Sequence, residues 1–303
     1  MIAIIAAACV ACCIGGARAE TVKVAEGVYA LLGTGGEISA KNGGRITNVA
    51  FVVGTHGVVV IDTGISYREG EDILAAVRSV SSQPVVLAIL THPSQEAIFG
   101  AAAFQARGIP VLAHRAAAEL IAARCETCLA SLRSTLGEDV MAGTRVIAPD
   151  RLIQGNETID TIGRTLRIIA PQWSSSPGAI AVFDESTSTL IAGTLVLIRR
   201  IPDLRDANPK SWHDALGNIE STRCRHLIPA YGPIGTCGDV APFVNYLDEL
   251  DRRVTGLIKD GVGLAELRNR CDLPQFAGWD QYDTLHPQNA NRTYLRIERS
   301  QFD

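Results

Sequence analysis

The chain has 303 residues, of which 47% are hydrophobic and 20% charged, an ordinary globular balance. Its 28 basic and 32 acidic residues leave a formal charge of −4, which argues against binding nucleic acid by broad phosphate neutralisation. The same composition argues against bulk disorder.

Residues 2–16 carry no charge, and Ala17-Arg18-Ala19 offers a small-x-small cleavage signature before Glu20. The run is too short to span a bilayer comfortably. The pattern predicts a secretory signal peptide over residues 1–19, with an uncleaved anchor as the alternative. After cleavage no transmembrane segment is expected, and the predicted location is periplasmic or secreted. Cys9, Cys12 and Cys13 leave with the signal, so five of the eight cysteines remain: Cys125, Cys128, Cys224, Cys237 and Cys271. An oxidising compartment favours disulfides, and five is odd, so at least one thiol lacks an intramolecular partner. Cys125-Glu-Thr-Cys128 is the sharpest spacing. It suits a structural bridge, thiol exchange, or half of a zinc site. After cleavage no second Cys-x-x-Cys remains to complete a four-sulfur site, and no Cys-x-x-Cys-His haem attachment site is present.

No linker, charge run or repeat divides residues 20–303, which are expected to form one domain with a helical extension from about 240 to 303. In chain order, residues 22–32 alternate as a strand. Residues 47–53 and 58–61 form a hairpin across Gly54-Thr-His-Gly57. Residues 67–80 show helical spacing. Residues 85–91 read as a strand buried on both faces. Helix is expected at 100–107, strand at 110–114, and helix at 115–136 carrying the paired cysteines. Strands follow at 151–153, 158–162, 165–169, 179–184 and 189–192, with a helix at 210–220 and a short strand at 227–229. An amphipathic helix at 242–259, a segment at 263–271 and a helix near 289–300 close the chain. This order suits two packed sheets with helices on both outsides.

Several motifs share a known order. Asn48-Val-Ala-Phe-Val-Val-Gly precedes Val58-Val-Val-Ile-Asp62-Thr63-Gly64. Thr91-His92-Pro93-Ser94-Gln95-Glu96-Ala97-Ile98-Phe99-Gly100 follows, then Ser175-Ser176-Pro177-Gly178. Leu190-Ile-Ala-Gly193-Thr194 and Pro229-Ala-Tyr231-Gly232-Pro233 complete the set. Together they resemble the metallo-β-lactamase superfamily, whose landmarks are Thr-His-x-His-x-Asp-His-x-x-Gly, His-Thr-Pro-Gly, a strand ending in Gly-Asp, and Pro-Gly-His-Gly-Pro. The resemblance implies an α/β (α+β) fold, a four-layer αββα sandwich. Asp62, Gly64, Gly100, Gly178, Gly193 and Gly232 would be its structural landmarks.

The resemblance also implies zinc, and here the sequence departs from the family. At the ligand positions His92 is kept and Asp becomes Glu96. The others are Ser94, Ala97, Ser175, Thr194 and Tyr231. A methyl group cannot ligate, and neutral hydroxyls are poor zinc ligands near pH 7. The expectation is therefore no metal and no other cofactor. A remodelled site of His92, Glu96 and Tyr231, with donors suited to iron, is the alternative. The simpler reading makes His92 a loop histidine, Glu96 a surface carboxylate, and Tyr231 a filler of space left by a histidine.

Other candidates are weaker. Ser174, Ser175 and Ser176 lack a nucleophile elbow. His114 suits a helix N-cap, and Asp62 a bond to backbone in the turn at Thr63-Gly64. Arg199 and Arg200 border the expected cleft. Gly33-Thr-Gly-Gly36 opens no helix and does not read as a phosphate loop. Cys125-Glu-Thr-Cys128-Leu and the tail, with Trp279, His286-Pro-Gln-Asn289 and Tyr294-Leu-Arg-Ile-Glu298, are together with the signal peptide similar to exported metallohydrolase-like proteins linked to sulfur oxidation and quinoprotein dehydrogenases. The function expected is a non-catalytic binding or accessory protein. Its partner would be a small molecule or a periplasmic protein. The alternatives are a superfamily hydrolase with a remodelled metal site and a thiol-redox accessory using Cys125 and Cys128.

Overall fold

The computed structural model describes residues 20–300. The predicted signal peptide lies outside them. Seven strands form the first sheet in sequential order: β1 (Thr21–Ala25), β2 (Val28–Leu31), β3 (Val49–Val53), β4 (Val58–Ile61), β5 (Val85–Leu90), β6 (Val111–His114) and β7 (Arg151–Ile153). The first four pair antiparallel, and β4 to β7 pair parallel. The second sheet runs β12 (His226–Pro229), β11 (Thr189–Gly193), β10 (Ala181–Asp184), β9 (Leu166–Ile169), β8 (Glu157–Ile159).

The alternation of apolar side chains dictates the layers. On β3 and β4, Ala50, Val52, Val59 and Ile61 point between the sheets, where they meet Leu166, Ile168, Ile180 and Val182. Their neighbours Val49, Phe51, Val58 and Val60 point the other way. These pack under α1 (Tyr67–Val80), α3 (Ala101–Gln105) and α4 (Arg115–Leu136). On the second sheet, Ala181, Phe183, Leu190 and Ala192 face α5 (Pro209–Ser221), α6 (Val240–Lys259), α7 (Leu264–Arg270) and α8 (Tyr282–Arg299). Strands apolar on both faces must be covered on both faces, which gives the expected αββα order. Each large side chain so buried contributes about 1.5–3 kcal/mol.

Local differences from the sequence reading have local causes. Residues 22–32 are not one strand. The chain turns at Glu26-Gly27, with Gly27 at φ +70°, and β1 folds back antiparallel on β2. The last helix starts at Tyr282 and carries Pro287 inside its first turns, which obscured its start. A short helix, α2 (Gln95–Ile98), lies inside what reads as a loop.

The cysteine expectation needs correction. The bridge joins Cys224 to Cys237, whose Cα atoms lie 5.2 Å apart. Cys125 and Cys128 are unbridged, as is Cys271. The pair at 125 and 128 sits inside the unbroken helix α4. There, residues three apart keep their Cβ atoms about 5–6 Å apart, wider than a disulfide takes.

Candidate functional site

Strands β5, β11 and β12 end at one edge of the sandwich, and the degenerate ligand positions follow directly. β5 leads into Thr91 and His92, then Ser94 to Ala97 of α2; β11 ends at Gly193 before Thr194; and β12 leads to Tyr231. Two glycines are required by close approach. A Cβ on Gly193 (φ +52°) would lie 2.5 Å from Thr91 Oγ1, and one on Gly232 (φ +98°) 2.0 Å from Ile198 O. Gly64 and Gly178 also sit at positive φ, and Gly100 presses on the Thr63 carbonyl. Asn48 is buried and joins the two sheets beside the cleft. It accepts from Gly33 N at 2.9 Å and donates to Pro229 O and Gly232 O at 2.8 and 2.9 Å.

The cleft at this edge has a volume of about 560 Å³. Ser94, Glu96, Ser175, Thr194 and Tyr231 line it, but His92 and Ala97 do not. His92 is instead buried behind the wall. Its Nδ1 lies 2.6 Å from Thr91 Oγ1, and that hydroxyl donates to Asp62 Oδ2 at 2.8 Å. Thr91 thus accepts from His92 Nδ1–H, which leaves Nε2 as a lone pair with no protein partner. Burial pushes the imidazole down to about 3, so it is neutral at physiological pH.

Asp62 departs from its expected part. It has φ +65° and its carboxylate reaches across to β5, accepting from both Thr91 N and Thr91 Oγ1 at 2.8 Å. Burial pushes this carboxyl up to about 7. His114 caps α4 as expected, with Nδ1 accepting from Ala116 N at 3.2 Å.

Glu96 is not a surface carboxylate. It is 9% exposed and accepts a hydrogen bond from the Tyr231 hydroxyl. Burial and the Glu96 charge raise the Tyr231 phenol well above its ordinary range. Arg200 lays its guanidinium 4.1 Å from the centre of the Tyr231 ring. Arg200 also pairs with Asp280 and donates to Gly36 O at 3.1 Å. Against the opposing effect of burial, Gly36 N–H and Arg200 hold the Asp280 carboxyl below its ordinary value. Across the cleft, the hydroxyls of Ser175 and Thr194 bond each other at 2.8 Å.

These residues do not fit zinc. Glu96 is bonded to Tyr231 and Ser175 to Thr194, Ser94 offers only a neutral hydroxyl, Ala97 supplies no donor atom, and His92 is not among the residues lining the cleft. Among the described residues, no three His, Cys, Asp or Glu side chains converge to hold a metal. Of the alternative trio, Glu96 and Tyr231 are bonded to each other and line the cleft, whereas His92 is not among its lining residues.

The sequence reading missed the wall supplied by the tail. Asp280 clamps Arg200, and Gln281, Thr284 and Leu285 line the cleft. The tail residues Trp279 and His286 belong to an aromatic cluster with Tyr246 and Phe276. Asn289 donates to Pro202 O at 2.7 Å and accepts from Leu204 N at 3.2 Å, which pins the rim segment after Arg200. The polar and aromatic residues just before the helix expected near 289–300 were the available signal.

The sequence profile of the metallo-beta-lactamase superfamily matches residues 42–255. The chain belongs to this superfamily. Among solved structures, it is similar to a metallo-beta-lactamase from Pontibacter korlensis, with 22% identity and a TM-score of 0.61 over 76% of this chain and 98% of that one. It is also similar to the DIM-1 metallo-beta-lactamase exposed to ceftazidime, with 16% identity and a TM-score of 0.59 over 76% of this chain and 96% of that one. A search of curated proteins returned no match. At these identities the likeness shows the metallo-beta-lactamase fold alone. α7 and α8 lie beyond the residues that the superfamily profile matches.

Proposed function

We propose that this chain is an exported metallo-beta-lactamase-fold protein whose cleft binds a small molecule without metal-dependent catalysis, as an accessory subunit. One observation carries the reading. Glu96 with Tyr231, and Ser175 with Thr194, close the ligand positions on each other. Metal-bound hydroxide is the nucleophile such a site supplies when loaded, and this set of residues offers it no cage. The cleft retains hydrogen-bonding walls, a cation at Arg200 and an apolar floor at Trp212, the ordinary mixture for small-molecule binding.

Export is supported by the apolar segment before Glu20, and the Cys224–Cys237 bridge suits an oxidising compartment. Association with a periplasmic quinoprotein or sulfur-oxidation system rests on the resemblance of the Cys125–Cys128 segment, the tail and the signal peptide taken together. The reading is tested by assaying the purified chain on β-lactam, thioester and phosphodiester substrates, with added zinc and with a chelator. No zinc-stimulated hydrolysis is expected. Hydrolysis abolished by the chelator and restored by zinc overturns the proposal in favour of a remodelled hydrolase.

A further inference from the structure

Helix α4 forms a wall of the cleft unrelated to the ligand positions. It presents Arg124, Cys125 and Cys128 to the cavity. The thiols stand three residues apart, on one face of the helix. Cys125 is the inner one, buried in the stripe that includes Ile121 and Leu129. Cys128 is the outer one and half-buried. Arg124 is paired with Asp206 at 2.7 Å and lies near both sulfurs. Among the described residues, Cys224 and Cys237 are already joined, and Cys271 is buried in the opposite helical layer.

We propose that Cys125 and Cys128 form a dithiol site in the cleft that reduces a low-molecular-weight disulfide. Cys128, the more exposed of the two, loses its proton to solvent and attacks one sulfur of the entering disulfide as thiolate. The S–S bond breaks, one half leaves as thiolate and takes a proton, and the other half stays as a mixed disulfide on Cys128. The Cys125 thiolate then attacks the Cys128 sulfur. The second half leaves as a thiol, and a Cys125–Cys128 bridge remains. Two electrons pass from the protein to the small disulfide, giving two thiols. Burial pushes the Cys125 thiol up to about 12, and the neighbouring Cys128 thiol adds to this. That order suits a resolving thiol which acts once the first sulfur has been captured. Closing the bridge draws the two Cβ atoms in by about 1–2 Å, so this turn of α4 and the cleft wall shift with oxidation.

The site depends on the cleft being open, not on the loss of zinc, so the hydrolysis assay and this test fail independently. The test uses the full chain with its free thiols reduced under conditions that leave Cys224–Cys237 intact, then exposed to oxidised glutathione. The wild type is expected to release two equivalents of glutathione and yield a peptide cross-linked between Cys125 and Cys128. Cys125→Ser and Cys125→Ala should both stop at a glutathione adduct on Cys128. Cys128→Ser should react at least about tenfold more slowly, having lost the accessible thiolate. The proposal is overturned if both thiols stay free in the wild type, if the adduct forms on Cys271, or if Cys128→Ser reacts at the wild-type rate.

Discussion

The Tyr231–Glu96 contact is the best place to test how the cleft is held. Tyr231→Phe keeps the ring, its packing and the Arg200 stack, and removes only the hydroxyl that donates to Glu96. Both residues are buried, at 7% and 9% exposure, so water cannot fully replace the lost donor. A hydrogen bond to a carboxylate contributes about 1.5–3 kcal/mol, and an acceptor left buried without a donor costs a similar amount. The expected loss is therefore about 2 kcal/mol, a fall in Tm of about 4–8 °C for a chain of this size. Urea unfolding of four proteins measures it: wild type, Tyr231→Phe, Glu96→Ala and the double variant. In the Glu96→Ala background, Tyr231→Phe should cost less than about 0.5 kcal/mol, because the partner is already gone. A cost below about 0.5 kcal/mol in the wild type, or the same cost in both backgrounds, refutes the reasoning.

Other substitutions probe neighbouring supports. His92 drops from an ordinary 6.5 to about 3 on folding, so the unfolded chain binds the proton first and stability is lost as pH falls through this window. The stability advantage of wild type over His92→Gln should accordingly shrink between pH 6.5 and about 4 in equilibrium unfolding; an advantage that grows contradicts the buried neutral imidazole. Asn48→Ala removes three hydrogen bonds that tie the sheets together, and should cost at least about 2 kcal/mol in thermal unfolding; a change within about 0.5 kcal/mol speaks against it. Gly100→Ala places a Cβ 1.7 Å from the Thr63 carbonyl oxygen, where only backbone movement relieves it. Its yield of folded protein by circular dichroism should fall sharply, and a wild-type melting curve rules out the close packing described.

The strand order and the position of the cleft were legible because they rest on local pattern. The alternation in β3 and β4 and the Gly193 and Gly232 landmarks place the strand ends from sequence alone. What the sequence did not reveal was contact between distant segments. Glu96 looks like a surface carboxylate in an exposed-looking loop; its burial follows from Tyr231, 135 residues later. Asp280 reaches Arg200 across 80 residues, and no local spacing encodes that pair. The Cys-x-x-Cys spacing invited a local bridge, yet those thiols are unbridged on an intact helix, while Cys224 and Cys237 meet because the chain between them doubles back beside β12.

In this cleft Glu96 with Tyr231, and Ser175 with Thr194, have closed on each other. The most direct measurement is zinc content by elemental analysis, on chain purified without added metal and again after incubation with excess zinc and desalting. Far less than one zinc per chain is expected in both cases. One or more tightly held zinc ions per chain would contradict it, since retention at that level requires three or four proper ligands acting together.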